Sequence, residues 1–172
     1  LVDEERELSS SCCGQCKLCM RDGISGQTSE FGGLANAMTG PADYSGDGVT
    51  ERAVFRDGAW FIEGQPTVFL GLANDVPVPA DYDGDGVAEP AVFRDGVWFI
   101  QGQATQYLGS AGDVPVPADY DGDGVAAVAV FRPAVGGWYV DGAARVVYGL
   151  ATDVPGPADY AGDGATTRCG RR

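Results

Sequence analysis

Four stretches of this chain place carboxylates at alternate positions on a glycine turn. They read PADYSGDG from Pro41, PADYDGDG from Pro79, PADYDGDG from Pro117 and PADYAGDG from Pro157. D-x-D-x-D-G is a row of hard oxygen donors on a tight bend, and hard oxygens in that spacing suit a calcium ion. In such a loop, positions 1, 3 and 5 give carboxylates, position 7 gives its backbone carbonyl, and position 9 gives another acid. Glycine at position 6 allows the sharp turn. The second stretch fills every place with Asp81, Asp83, Asp85, Val87 and Glu89. The first offers Asp43, Ser45, Asp47, Val49 and Glu51, with Ser45 a neutral and weaker donor. The third offers Asp119, Asp121, Asp123 and Val125, but Ala127 stands at position 9. The fourth keeps Asp159 and Asp163, while Ala161 and Thr167 give no carboxylate. Affinity for calcium is expected to fall from the second loop, through the first and third, to the fourth. The alternative is a set of Asp-Gly turns that bind nothing; four at matching positions argue against it.

The four starts lie 38, 38 and 40 residues apart. A period of that size marks a repeat protein, each unit being one supersecondary element. Within the unit from Pro79, residues 90–94 read as a strand and Asp95-Gly96 as a hairpin turn. Val97 to Ile100 read as the returning strand, and Thr105 to Leu108 as a further short strand. The Pro-rich residues 113–117 are extended and cannot lie at the centre of a sheet. The chain is therefore read as all-β, about four antiparallel units, with a partial unit at each end. Residues 1–30 form a Cys-rich segment and degenerate first unit, and residues 31–172 carry the repeats. Trp60, Trp98 and Trp138 hold equivalent places. They could be an aromatic platform for sugars, but a residue demanded by every unit is better read as core. Arg56, Arg94 and Arg132 also recur, and each could pair with a neighbouring Asp to tie units together.

Composition excludes several functions. The chain carries 25 acidic and 11 basic residues and a net charge of −14, so a nucleic-acid partner is not expected. There is no histidine, the commonest general base, and no nucleophile motif, so an enzyme is the weakest reading. No apolar run is long enough to span a membrane. The chain begins at Leu1 rather than Met, consistent with a leader already removed. Cys12, Cys13, Cys16, Cys19 and Cys169 give an odd count. The Cys13, Cys16, Cys19 spacing is compatible with a metal cluster, but no second pair completes it. With calcium loops outside the cell, disulfides are the better reading, one thiol being left free or bonded between chains.

The phrase DYDGDGVAEPAVFRDGVWFI resembles the FG-GAP/VCBS repeats of integrin-α-type β-propellers and of many secreted bacterial proteins; the resemblance covers roughly residues 31–164. It is not an EF-hand, because the flanks are Pro-rich and strand-like. The resemblance implies propeller blades whose calcium loop lies between two strands of a blade. It carries over directly to Asp81, Asp83, Asp85 and Glu89, and in part to the other loops. It implies an extracellular or cell-surface protein that mediates adhesion or assembly, with calcium as cofactor. About four units is few for a propeller, whose blades number roughly four to eight. The half-units at the two ends leave edges near residues 165–172, 17–21 and 30–34, so head-to-tail self-association is expected, with closure within one chain the rival. A lectin-like carbohydrate-binding module is the alternative function.

Overall fold

The computed structural model describes residues 19–21, 28–30, 37–168 and 170–171. All regular structure in them is β, apart from one 3-10 turn at Pro133–Val135. Three four-stranded antiparallel sheets follow one another along the chain. The first contains β3 (Met38–Thr39), β4 (Ala53–Arg56), β5 (Ala59–Ile62) and β6 (Val68–Phe69). The second contains β7 (Val76–Pro77), β8 (Ala91–Arg94), β9 (Val97–Ile100) and β10 (Gln106–Tyr107). The third contains β11 (Val114–Pro115), β12 (Ala129–Arg132), β13 (Gly137–Val140) and β14 (Val146–Val147). Before them, β1 (Cys19–Arg21) pairs with β2 (Thr28–Glu30). After them, β15 (Val154–Pro155) pairs with β16 (Gly170–Arg171).

The strands keep their sequence order across each sheet, and the register is the same each time. Phe55, Phe93 and Phe131 face Trp60, Trp98 and Trp138 across the central pair. The hairpin turns in the first two sheets follow from Asp57-Gly58 and Asp95-Gly96, where both residues have positive φ. Such turns twist with the strands, and the second place demands glycine: a Cβ on Gly96 would lie 2.5 Å from the Gly109 carbonyl oxygen. In the third sheet Pro133–Val135 replaces this turn, and Gly136 closes it in the left-handed region.

The sequence period and the sheets are out of phase. The Pro-x-Pro segment that ends each sequence unit supplies the first strand of the next sheet. It lies at the edge, where a proline's missing N–H costs no ladder bond. The acidic loop therefore connects the first and second strands of one sheet.

Buried side chains gather where one sheet meets the next. Tyr44, Phe55, Trp60 and Ile62 of the first sheet pack with Ala88 and Val92 of the second. Val78, Tyr82, Phe93, Trp98 and Ile100 pack with Val128 and Val130 of the third. The three tryptophans are 0–1 % exposed and tilt against their Phe partners at centroid distances of 5.1–5.3 Å. They are core, so no sugar can stack on them. No helix among the described residues is long and apolar enough to cross a membrane.

Arg94 and Arg132 pair with Asp75 and Asp113, at 2.5 and 2.7 Å. Each pair joins two successive sequence units, as expected, but because of the phase offset both partners belong to one sheet. Arg56 differs. Ala37 stands where the spacing of the other pairs would put an aspartate, and among the described residues Arg56 pairs only with Asp57, at 4.0 Å.

Candidate metal-binding loops

Each acidic loop is closed at its base by a two-residue bridge. Ala42 pairs with Glu51, Ala80 with Glu89, Ala118 with Ala127, and Ala158 with Thr167. The bridge explains why the ninth loop residue matters. It seats that residue beside the one preceding position 1, so a Glu there turns back over the loop.

The tyrosine of the D-Y-D motif anchors the loop from below. Tyr44 and Tyr82 are buried, and their hydroxyls donate to the carbonyl oxygens of Gly40 and Val78 at 2.6 and 2.7 Å. Tyr120 donates to Val116 in the same way. Tyr44 and Tyr82 stand in the bend just past the bridge, where the ring turns into the core and the next loop residues stay exposed. Burial pushes the Tyr82 hydroxyl well above the usual tyrosine range, and the nearby Glu89 charge adds to the shift.

The first aspartate then organises the turn. Asp81 Oδ1 accepts the Gly84 N–H at 2.6 Å, and Oδ2 accepts the Gly86 N–H at 2.9 Å. Asp43, Asp119 and Asp159 accept from the corresponding glycines. At Asp119 the N–H of Gly124 is the main cause of a carboxyl held below the usual range. At Asp159 the N–H of Gly164 has that role. At Asp43 desolvation pushes upward, but the N–H groups of Gly48, Gly46, Ser45 and Asp47 outweigh it, so this carboxyl too is lowered.

Three of the four loops gather carboxylates closely enough to share one ion. Asp81, Asp83, Asp85 and Glu89 each place an oxygen within 4.8 Å of all the others. So do Asp43, Asp47 and Glu51, and so do Asp119, Asp121 and Asp123. In the first loop Ser45 Oγ lies 2.9 Å from Glu51 Oε1, joining the same group. Asp159 and Asp163 belong to no such cluster among the described residues. Val49, Val87 and Val125 hold position 7, where their N–H groups donate to Asp47, Asp85 and Asp123 at 2.8 Å.

Crowding is electrostatically costly in the second loop. Glu89 is half-buried, and desolvation followed by the charges of Asp83, Asp81 and Asp85 raises its carboxyl above the usual range. The Tyr82 N–H, which donates to Glu89 Oε2 at 2.7 Å, opposes this only in part. A cation among these oxygens would remove the repulsion. An all-oxygen donor set on a flexible glycine turn suits a hard divalent ion, calcium included, better than a soft one.

The loops also touch one another. The Asp43 carbonyl accepts the Ala88 N–H, Asp81 accepts from Ala126, and Asp119 accepts from Thr166, each at 2.7 Å. Three Asp residues that offer a carboxylate to one cluster thus also hold the next loop by the backbone.

The sequence reading missed the tyrosine anchors, and although it expected an Asp partner for each recurring arginine, it did not single out the buried Asp75 and Asp113. Both were visible as recurrences at the repeat period. Cys12, Cys13, Cys16 and Cys169 lie outside the described residues, and Cys19 is placed only as backbone in β1, so the disulfide expectation lies outside them too. No protein-family model, no curated protein and no solved structure matches this chain.

Proposed function

We propose that the protein is an extracellular calcium-binding repeat protein with a structural or adhesive role, and that its sheets are blades of the FG-GAP/VCBS type. The Asp81, Asp83, Asp85, Glu89 cluster carries this reading, because four carboxylates within 4.8 Å of one another repel strongly unless a cation joins them. Asp81, Asp83, Asp85, Glu89 and the Val87 carbonyl form the strongest site. Asp43, Ser45, Asp47, Glu51 and the Val49 carbonyl form the second. Asp119, Asp121, Asp123 and the Val125 carbonyl form a weaker third. Calcium does no chemistry here beyond fixing the loop between the first two strands of each sheet. Exposed sites of this kind suit the high calcium concentrations found outside cells.

The proposed partner is a second copy of the chain, joined by backbone pairing along strand edges. The edge strands of the three sheets, β3, β6, β7, β10, β11 and β14, support this, since among the described residues each pairs on one side only. Calorimetric titration with calcium, together with thermal melts in calcium and in chelator, tests the metal reading. About three ions should bind, and a site held at a hundredfold its Kd stabilises the fold by about 2.7 kcal/mol. Identical melting curves in calcium and chelator, with no heat of binding, would overturn the reading. Light scattering across a concentration series tests self-association, and a monomer at every concentration refutes it.

A further inference from the structure

Beyond the metal loops, the second and third sheets enclose a groove of about 300 Å³, lined by Thr105, Gln106, Tyr107, Leu108, Val128 and Asp141. A larger groove of about 490 Å³ lies near Asp75, Arg94 and Asp113, but those charged groups already bond one another or the neighbouring Arg132. In the smaller groove Gln106 makes one long bond, its Nε2 donating to Gln103 Oε1 at 3.5 Å. The side chains of Tyr107 and Asp141 have no hydrogen-bond or ion-pair partner among the described residues, and Tyr107 is 78 % exposed.

The near-identity of the sheets shows what is particular about this groove. Gln106 stands opposite Trp98, where the other sheets put Val68 and Val146 opposite their tryptophans. Tyr107 takes the place of Phe69 and Val147. Asp141 N–H donates to Val128 O just as Gln101 donates to Pro90 O, so Asp141 holds the place of Gln101. At the two β10 positions an apolar side chain elsewhere becomes a hydrogen-bonding one here; the third place holds an acid in the first sheet too, Glu63, and an amide only in the second. Exchanging Val for Gln on an edge strand gives up apolar burial and β propensity, a loss that packing alone does not explain.

We infer that this groove binds a neutral sugar, such as the terminal hexose of a glycan. Leu108 and Val128 form an apolar floor, and Tyr107 offers an aromatic face with a polar tip. Asp141, Gln106 and Thr105 hydrogen-bond the hydroxyls at the rim, the carboxylate most strongly because its bonds are charge-assisted. The volume lies at the small end of ligand pockets, which suits one ring rather than a chain. The net charge of −14 and the Asp141 carboxylate disfavour anionic sugars. The inference does not depend on calcium.

Amide NMR of the full chain, titrated separately with glucose, galactose, mannose and N-acetylglucosamine, tests it, with sialic acid as the anionic control. At least one neutral sugar is expected to shift the amides of residues 105–108 and 141. Tyr107→Ala and Asp141→Ala should each weaken that response about tenfold, and Phe69→Ala, at the matching place on the first sheet, should leave it unchanged. All three side chains are at the surface, so their amide spectra report folding directly. The inference is overturned if none of these sugars shifts those amides at high millimolar concentration, if Tyr107→Ala binds as the parent does, or if sialic acid binds equally well.

Discussion

Trp98→Ala is the sharpest test of the core. The side chain has no exposed surface and packs among Val78, Tyr82, Phe93, Ile100, Val128 and Val130. Its ring lies 5.1 Å from that of Phe93, and its Nε1–H donates to the Leu108 carbonyl at 3.0 Å. Removing a buried indole costs about 3–5 kcal/mol in transfer and cavity terms. The lost hydrogen bond adds about 1 kcal/mol, since Leu108 O is left without that donor. These contributions overlap, so about 4 kcal/mol is expected. For a chain of this size that lowers the melting temperature by about 8–16 °C. Differential scanning calorimetry of parent and variant measures it. The hydrogen-bond part can be isolated with Trp→Phe pairs. Trp60 is equally buried, but its Nε1 has no partner among the described residues. Trp98→Phe should therefore cost about 1 kcal/mol more than Trp60→Phe. A Trp98→Ala protein that melts within about 2 °C of the parent would refute the packing argument, because so small a shift leaves no room for a cavity of that size.

Four further outcomes rest on named contacts. In calcium titrations, Asp85→Ala should remove one bound ion, whereas Asp163→Ala should leave the stoichiometry unchanged, because Asp163 belongs to no carboxylate cluster among the described residues. Asp75→Ala removes a buried acceptor of both the Arg94 guanidinium and the Leu72 N–H, and should cost about 2–4 kcal/mol in chemical denaturation; conversely, Ala37→Asp should raise stability by giving Arg56 the carboxylate its counterparts have. The buried Tyr82 hydroxyl is harder to ionise in the folded chain than at its ordinary value of 10.0. Its contribution is thus full below pH 10 and lost as pH rises above that, so Tyr82→Phe should flatten the alkaline end of the stability profile while costing about 1 kcal/mol at neutral pH.

Strands, turns and candidate ligands were legible in the chain because they depend on local rules. Asp95-Gly96 between two apolar runs makes a hairpin wherever it occurs, since only a primed turn matches the strand twist. The carboxylates of residues 81–89 cluster because a glycine turn and alternating side chains bring them round one point, and both are properties of a few adjacent residues. The buried tryptophans were legible for a different reason: an identical demand in every unit points to a contact made in every unit. Three things depended on the tertiary structure. The sheets are offset from the sequence period, because edge tolerance for proline, rather than the repeat boundary, decides which sheet Val76–Pro77 joins. The Asp75–Arg94 pair spans 19 residues and exists only once β7 lies against β8. The links from Asp43 to Ala88 and from Asp81 to Ala126, like the groove holding Gln106, Tyr107 and Asp141, form only where one sheet meets the next. Contacts between sheets are set by packing over tens of residues, and no local periodicity encodes which side chains will face each other there.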